Sequence, residues 1–334
     1  MKKNKTVLIT GSEGFIGSHV TELFISMGYN VKALVLYNSF NNIGNLNFID
    51  KKKLSNCEII FGDIRDYNLI KTISQKCDHV IHLAALIGIP YSYSAVESYI
   101  DVNIKGTQNL LRASLENNIS SFVHTSTSEV YGTAQYTPMC EDHPLVSQSP
   151  YSATKIAADN LAISFNRSFN QKNLIVRPFN TFGPRQSTRA VIPSIILQAL
   201  NKDKIYLGKT DTTRDFTYVT DTANAFLRAI KTPAAFNGQV INLGIGEDFS
   251  INDIIKMVAK YLQKKIIVKE DKVRFRPKKS EVLKLLSKNT KAKKILKWKP
   301  TFVGKKGFEA ALIKTIQWFE EYNNDKSSSS KYNY

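Results

Sequence analysis

Tyr151 and Lys155 stand four residues apart in Tyr151-Ser152-Ala153-Thr154-Lys155. Four residues make about one helical turn, so the two side chains share a face. A phenol beside an ammonium has its ionised form favoured, which would make Tyr151 a usable base near neutral pH. Upstream, an apolar run beginning at Phe122 ends in Thr125-Ser126-Thr127-Ser128-Glu129, followed by Tyr131-Gly132. Hydroxyls and one carboxylate therefore sit where a buried strand should end.

These groups need a scaffold, and the N-terminal sequence supplies its first unit. Thr6-Val7-Leu8-Ile9-Thr10 is a short β-branched run that fits a buried parallel strand. Gly11-Ser12-Glu13-Gly14-Phe15-Ile16-Gly17 follows at once. Residues 18–27 read as an amphipathic helix ending at Gly28, and residues 31–36 as the next strand. The glycines of such a βαβ unit let backbone amides approach a pyrophosphate at the positive end of the helix. At the end of the second strand an acidic residue would bind an adenosine ribose, or an arginine a 2′-phosphate. The chain there reads Val35-Leu36-Tyr37-Asn38-Ser39, with neither, and leaves NAD and NADP open.

The alternation continues. A strand over 58–61 closes in Gly62-Asp63-Ile64, where Asp63 could accept from an adenine amino group or simply stabilise the turn. The strand over 79–83 leads to the small pair Ala84-Ala85, where backbone could pass close to a flat ligand. The apolar and aromatic loop from Leu86 to Tyr93 then lies at a strand's C-terminal end, where open α/β sheets bind ligands. Residues 96–117 read as one long helix carrying Asn103, 121–125 as a strand, 151–169 as a helix started by Pro150, and 174–177 as a strand. This series predicts an α/β Rossmann fold with a doubly wound parallel sheet of at least six strands. Beyond Pro178, helical patterns at 191–200, 221–230, 251–262 and 307–322, with short strands including 240–243, predict a smaller C-terminal α/β substrate-binding lobe. The expected division is 1–178 for the dinucleotide-binding domain and 179–324 for the second lobe, with some elements interleaved. A disordered tail is expected at 325–334, with its four consecutive serines.

At 334 residues and 43% apolar, the chain has a globular composition. No apolar run approaches the roughly 20 residues of a membrane span. The basic start Met1-Lys2-Lys3-Asn4-Lys5 leads directly into a strand pattern without a signal peptide's apolar region, so a cytoplasmic location is expected. Cys57, Cys77 and Cys140 are odd in number and scattered, and read as reduced structural thiols rather than a disulfide or zinc framework. His79 and His82 face opposite sides of a strand, so no metal site is expected. The net charge of +18 is concentrated between Lys256 and Lys306. No nucleic-acid-binding motif accompanies it, and it reads as a solvated face with some cations assisting a diphosphate ligand.

The motifs together resemble an extended short-chain dehydrogenase/reductase of the nucleotide-sugar epimerase/dehydratase branch. They are Thr10-Gly11-x-x-Gly14-x-x-Gly17, Asp63-Ile64, Leu83-Ala84-Ala85, Asn103, the hydroxyl cluster and Tyr151-x-x-x-Lys155. Further on come Arg177-Pro178-Phe179-Asn180-x-Phe182-Gly183-Pro184-Arg185, Arg214-Asp215-Phe216-x-Tyr218-Val219-x-Asp221 and Arg276-Pro277-x-x-Ser280-Glu281. The resemblance spans residues 6–322. It implies a cofactor, by the habit of the subgroup NAD, held by Gly11, Gly14, Phe15, Ile16, Gly17, Asp63, Ile64, Leu83, Ala84, Ala85 and Asn103 with Tyr151 and Lys155. It implies a nucleotide-diphosphate sugar held by Ile87, Tyr91, Asn180, Arg185, Arg214 and Arg276, a role that bidentate arginine–phosphate geometry suits. It also implies a homodimer, in which the helices at 96–117 and 151–169 pair with their symmetry mates.

Glu129 directs the resemblance further. The form Thr127-Ser128-Glu129-Val130-Tyr131-Gly132 is similar to GDP-mannose 4,6-dehydratases and UDP-glucuronate decarboxylases, whereas plain 4-epimerases carry a small or hydroxyl residue at the glutamate. dTDP-glucose 4,6-dehydratases have Thr-Asp-Glu, from which Ser128 departs. Leu36-Tyr37-Asn38-Ser39-Phe40-Asn41 and the segment from Ala85 to Tyr93 resemble 4,6-dehydratases of the legionaminic acid pathway, which act on GDP-N-acetylglucosamine or a UDP relative. The implied reaction oxidises C4 with Tyr151 as base, eliminates water across C5 and C6 with Glu129, and returns the hydride to C6. Thr127 holds O4, and the leaving hydroxyl's proton comes from Glu129 in place of the missing aspartic acid. A decarboxylase, a 4-epimerase or a non-catalytic nucleotide- or RNA-binding relative of the fold are the alternatives.

Overall fold

A computed structural model describes residues 4–271, 277, 280 and 282–325, with side chains described as far as residue 322. Arg276, Glu281 and the expected tail from residue 326 lie outside the described residues.

The first half follows the alternation. Strand β1 (Thr6–Thr10) leads to α1 (Phe15–Ser26) and β2 (Asn30–Leu36), then a 3-10 turn (Gly44–Phe48), α2 (Lys51–Leu54), β3 (Cys57–Gly62) and α3 (Tyr67–Ile73). Next come β4 (His79–His82), the short helices α4 (Ile89–Ser92) and α5 (Val96–Tyr99), a π-helical stretch (Ile100–Lys105) and α6 (Gly106–Glu116). Strand β5 (Ser121–Thr125), a 3-10 turn (Ser128–Tyr131), α7 (Pro150–Phe169) and β6 (Asn173–Pro178) complete it. The helix expected over 96–117 is thus interrupted by a wider π turn around Asn103, a device common at functional sites.

The second half runs β7 (Asn180–Phe182), α8 (Val191–Asn201), β8 (Lys204–Leu207), β9 (Thr213–Arg214), β10 (Phe216–Tyr218) and α9 (Val219–Ile230). It continues with β11 (Val240–Leu243), β12 (Phe249–Ser250), α10 (Ile251–Leu262), β13 (Ile267–Glu270), β14 (Lys284–Leu285), α11 (Thr290–Ile295) and α12 (Gly304–Asp325).

Seven strands form one parallel sheet in the order β11-β6-β5-β4-β1-β2-β3. The order reverses between β1 and β4, which opens a crevice at their C-terminal ends. Alternate residues of each strand go to opposite cores, as period two requires. Val7 and Ile9 pack with Val20, Phe24, Phe226 and Trp298 under α1 and α9, while Leu8 packs with Leu110, Leu111 and Ala162 under α6 and α7. The seventh strand corrects one expectation: residues 240–243, read as part of the second lobe, pair with β6 in the main sheet. Helix α9 likewise belongs to the main core. An apolar edge on β6 needs a partner, and the chain returns from the second lobe to supply it. That lobe has its own core, in which Phe182, Ile195, Phe216, Ile254, Phe308 and Phe319 meet. No helix among the described residues is long and apolar enough to cross a membrane.

Candidate active site

The groups that opened the argument converge at the C-terminal end of β5. Past Thr125 the chain turns into the 3-10 turn, and Thr127 caps it by accepting from the Glu129 N–H at 3.2 Å. Helix α7 begins alongside. Pro150 presets its first turn, and Ser149 and Ser152 exchange a reciprocal pair of side chain to backbone hydrogen bonds, each 3.1 Å. Tyr151, Lys155 and Asp159 follow one another along one face of the helix, all buried.

Burial drives the Tyr151 phenol well above its ordinary pKa. A side-chain hydrogen bond with Thr127 pulls it back, and the nearby Glu129 carboxylate pushes it up again. The Lys155 ammonium donates to the Thr125 carbonyl at 2.7 Å, and burial brings it down to about 8 while the Asp159 charge works upward. This corrects the simple expectation that Lys155 favours the phenolate. In the protein alone, desolvation dominates the phenol, and the Lys155 ammonium is aimed at the Thr125 carbonyl.

Asp159 was not among the expected site residues. It accepts from Ser126 Oγ at 2.9 Å and from Arg177 Nε and Nη2 at 3.1 and 2.9 Å, and lies 3.2 Å from His124 Nε2, out of hydrogen-bond alignment. Arg177 also donates to Tyr131 Oη at 3.0 Å, and Tyr131 donates to Asn242 Oδ1 at 2.6 Å. The network fastens β5, β6, β11 and α7 together directly beneath Thr127 and Tyr151. Its sequence signal was the continuation of the Tyr151–Lys155 spacing by four more residues.

The glycine turn is tight. Gly11 has φ +69°, and a Cβ there would stand 2.8 Å from the Ala84 nitrogen, while one on Gly17 would stand 2.0 Å from the Gly11 carbonyl oxygen. Only glycine fits either place. Helix α1 starts at Phe15 without a side-chain cap, so the first-turn amides of Phe15, Ile16 and Gly17 are left for a ligand. Leu83 and Ala84 N–H both donate to Thr10 Oγ1 at 3.2 Å, which brings the small pair Ala84-Ala85 against this turn. A pyrophosphate-bearing nucleotide fits such a cradle.

Other expected residues have partners within the protein. Asn103 Oδ1 accepts from Leu86 N–H at 2.9 Å, and its Nδ2 donates to Leu86 O at 3.0 Å and Thr154 Oγ1 at 3.1 Å. Its side chain clamps the loop after β4 to α7. Asp63 takes Arg65 N–H at 2.8 Å and holds the Arg65 guanidinium at 2.6 Å, which braces the turn after β3. Ile64 is buried under α6, against Gly106.

Among the substrate candidates, Ile87 and Tyr91 are exposed on the loop after β4, and Tyr93 of that loop shares a hydrogen bond with Ser280 of the second lobe. Asn180 Oδ1 is buried without a partner, a group that a ligand would satisfy. Arg214 is turned onto its own lobe, donating to Thr213 O at 2.9 Å and Val282 O at 2.6 Å. Arg185 Nη2 donates to Glu22 on α1 at 2.7 Å and to Phe48 O at 3.3 Å. A carboxylate on α1 outcompetes solvent for it, so it ties the loop after β7 to α1.

His79 and His82 pair with strand and helix hydroxyls: Nδ1 of His79 lies 2.7 Å from Ser121 Oγ, and the His82 nitrogens lie 2.8 and 3.0 Å from Thr10 and Thr107. The cysteines are unpaired, with burial pushing Cys57 up to about 12 and Cys77 to about 11, so neither is a ready nucleophile.

Comparison with known proteins agrees with this geometry. The family model described as GDP-mannose 4,6 dehydratase matches residues 8–310. The chain is 31% identical over 323 residues to a putative UDP-glucose 4-epimerase of Methanocaldococcus jannaschii, covering 95% of this chain and 99% of that one. It is 30% identical over 327 residues to the human dTDP-D-glucose 4,6-dehydratase, covering 95% and 90%. The crystal structure of UDP-glucuronic acid 4-epimerase from Bacillus cereus, with UDP-glucuronic acid and NAD, superposes with a TM-score of 0.83 at 28% identity, covering 95% and 99%.

Proposed function

The chain belongs to the GDP-mannose 4,6-dehydratase family, within the extended short-chain dehydrogenase/reductases that work on nucleotide sugars, and we propose that it is an NAD-dependent nucleotide-sugar 4,6-dehydratase. The observation that carries this reading is Glu129. Its carboxylate stands near enough to raise the Tyr151 pKa, on the turn that Thr127 caps. A base for O4 and a second base for a neighbouring carbon proton are thereby held together.

In this reading Gly11, Gly14, Phe15, Ile16 and Gly17 hold the pyrophosphate, with Asp63, Ile64 and Leu83–Ala85 flanking the rest of the dinucleotide. NAD, when bound, would accept the hydride from the sugar's C4 and give it back at C6 after water has left. Tyr151 takes the O4 proton, and Thr127 holds that oxygen. Lys155 anchors the helix to Thr125 and adds positive charge beside the phenol. The 4-ketone acidifies the C5 proton, Glu129 removes it, and the same carboxyl then protonates the departing C6 hydroxyl. Ser128, buried at the base of the turn, cannot serve as that acid. Asn180, whose Oδ1 is buried without a partner among the described residues, and Arg214 would take the nucleotide sugar together with the exposed Ile87 and Tyr91.

For the substrate, the likeness of 36–41 and 85–93 to legionaminic acid pathway enzymes supports GDP- or UDP-linked N-acetylglucosamine. A homodimer through α5, α6 and α7 is supported by the exposed Val96 and Ile100 on that surface. The second reading is a 4-epimerase, favoured by the likeness to epimerases at comparable identity. Incubation with UDP-, GDP- and dTDP-hexoses, read by mass spectrometry, separates the two. Loss of water supports the dehydratase, whereas an isomer of unchanged mass sinks it.

A further inference from the structure

We propose that Glu13 is the residue that reads the cofactor's adenosine ribose, and that its carboxylate excludes a 2′-phosphate. The inference rests on the reading that the glycine turn holds a dinucleotide. In such a fold the ribose-reading acid stands at the end of the second strand. Here that strand end, Leu36-Tyr37-Asn38, has none.

The structure brings a carboxylate there from another element. Glu13 lies in the turn between β1 and α1, and its Oε1 accepts from the N–H of Leu36, the last residue of β2, at 2.9 Å. Strands β1 and β2 are parallel neighbours with Thr10 opposite Leu34, so their C-terminal ends lie side by side. The backbone of Glu13 is fixed as well: Asn45 N–H donates to its carbonyl at 2.9 Å, and Gly44 approaches so closely that an added Cβ would stand 2.9 Å from the Glu13 Cβ. Glu13 is thus held at both its side chain and its main chain.

One lone group is left over. Glu13 Oε2 is buried and has no hydrogen-bond partner among the described residues. A buried carboxylate oxygen without a donor is costly, and native proteins leave few of them. The carboxyl's pKa is raised by this burial, against the lowering influence of the Leu36 N–H. A ribose diol brings the missing O–H donor to the end of β2. A 2′-phosphate brings acceptors and negative charge to the same oxygen, which repels it.

Titration of purified wild-type protein and the Glu13→Gln variant with NAD+ and with NADP+, by calorimetry, tests the assignment. Glutamine keeps an acceptor for Leu36 N–H but removes the charge. Wild type should favour NAD+ by roughly a hundredfold, and Glu13→Gln should cut that preference to about tenfold or less, the scale of one charged hydrogen bond. Gain of NADP+ affinity in the variant cannot come from misfolding. Unchanged selectivity in Glu13→Gln, or equal binding of both dinucleotides by wild type, overturns the Glu13 assignment while leaving the cofactor reading intact. Binding of neither dinucleotide overturns both.

Discussion

Asp159 receives two guanidinium nitrogens of Arg177, at 2.9 and 3.1 Å, in a site where both side chains are almost fully buried. The pair lies one turn past Lys155 and holds Ser126, the residue between the carbonyl that Lys155 grips and the threonine that bonds Tyr151. Its geometry therefore sets how strand end and helix face each other across the reacting groups.

Breaking this pair from one side leaves a buried charge uncompensated. Asp159→Ala or Arg177→Ala should each destabilise the fold by about 3–5 kcal/mol. Asp159→Ala combined with Arg177→Ala should cost less than the sum of the two single changes, because neither charge is then stranded. Urea unfolding of the four proteins measures it, and strict additivity would contradict the coupling.

Glu129→Gln should keep nucleotide-sugar binding and lose nearly all turnover, because the amide cannot take the C5 proton. Dehydration above a few percent of wild type, by mass spectrometry, would remove Glu129 from that role. Tyr151→Phe should act earlier and abolish even the nicotinamide absorbance change at 340 nm that accompanies C4 oxidation.

Thr127→Val removes the hydrogen bond that lowers the Tyr151 pKa. The phenol then loses its proton less readily, so the rise of kcat/KM with pH should move to higher pH. A profile that keeps its midpoint but falls in height would mean that Thr127 only positions the sugar.

Four histidines are held below their ordinary pKa chiefly by burial: His19, His79 and His124 at about 4, and His82 well below its usual range. Their unfolded pKa is near 6.5, so between about pH 6.5 and 4 the unfolded chain binds more protons and stability falls with acid. Asp215, raised by burial to about 7, works in the opposite sense over the same range, since its folded form holds a proton that the unfolded form releases. Glu13, also raised by burial, works in the same sense as Asp215, and four histidines against these two carboxyls should leave a net loss. A denaturation midpoint that stays flat from pH 7 to 4.5 would contradict this balance.

Much of the fold was legible because its signals are local. Thr6–Thr10, Asn173–Pro178 and Ile251–Leu262 fall within a residue or so of their expected positions, since period, capping residues and glycine turns act within a few residues. Tyr151 and Lys155 were legible for the same reason: helical spacing alone places them together. The sheet's seventh strand was not, because nothing local in residues 240–243 says which edge they will cover.

The chain's own sequence determined the glycine turn, the hydroxyl-rich strand end and the shared face of Tyr151 and Lys155. Only the tertiary structure decided the electrostatics around them. It buried the phenol enough to raise its pKa, turned Lys155 onto a carbonyl, spent Arg185 on Glu22, and joined Asp159 to Arg177 from a strand distant along the chain. It also carried Glu13 across to the end of β2. Desolvation and long-range pairing depend on what the whole chain packs around a group, and no spacing rule within one segment contains that information.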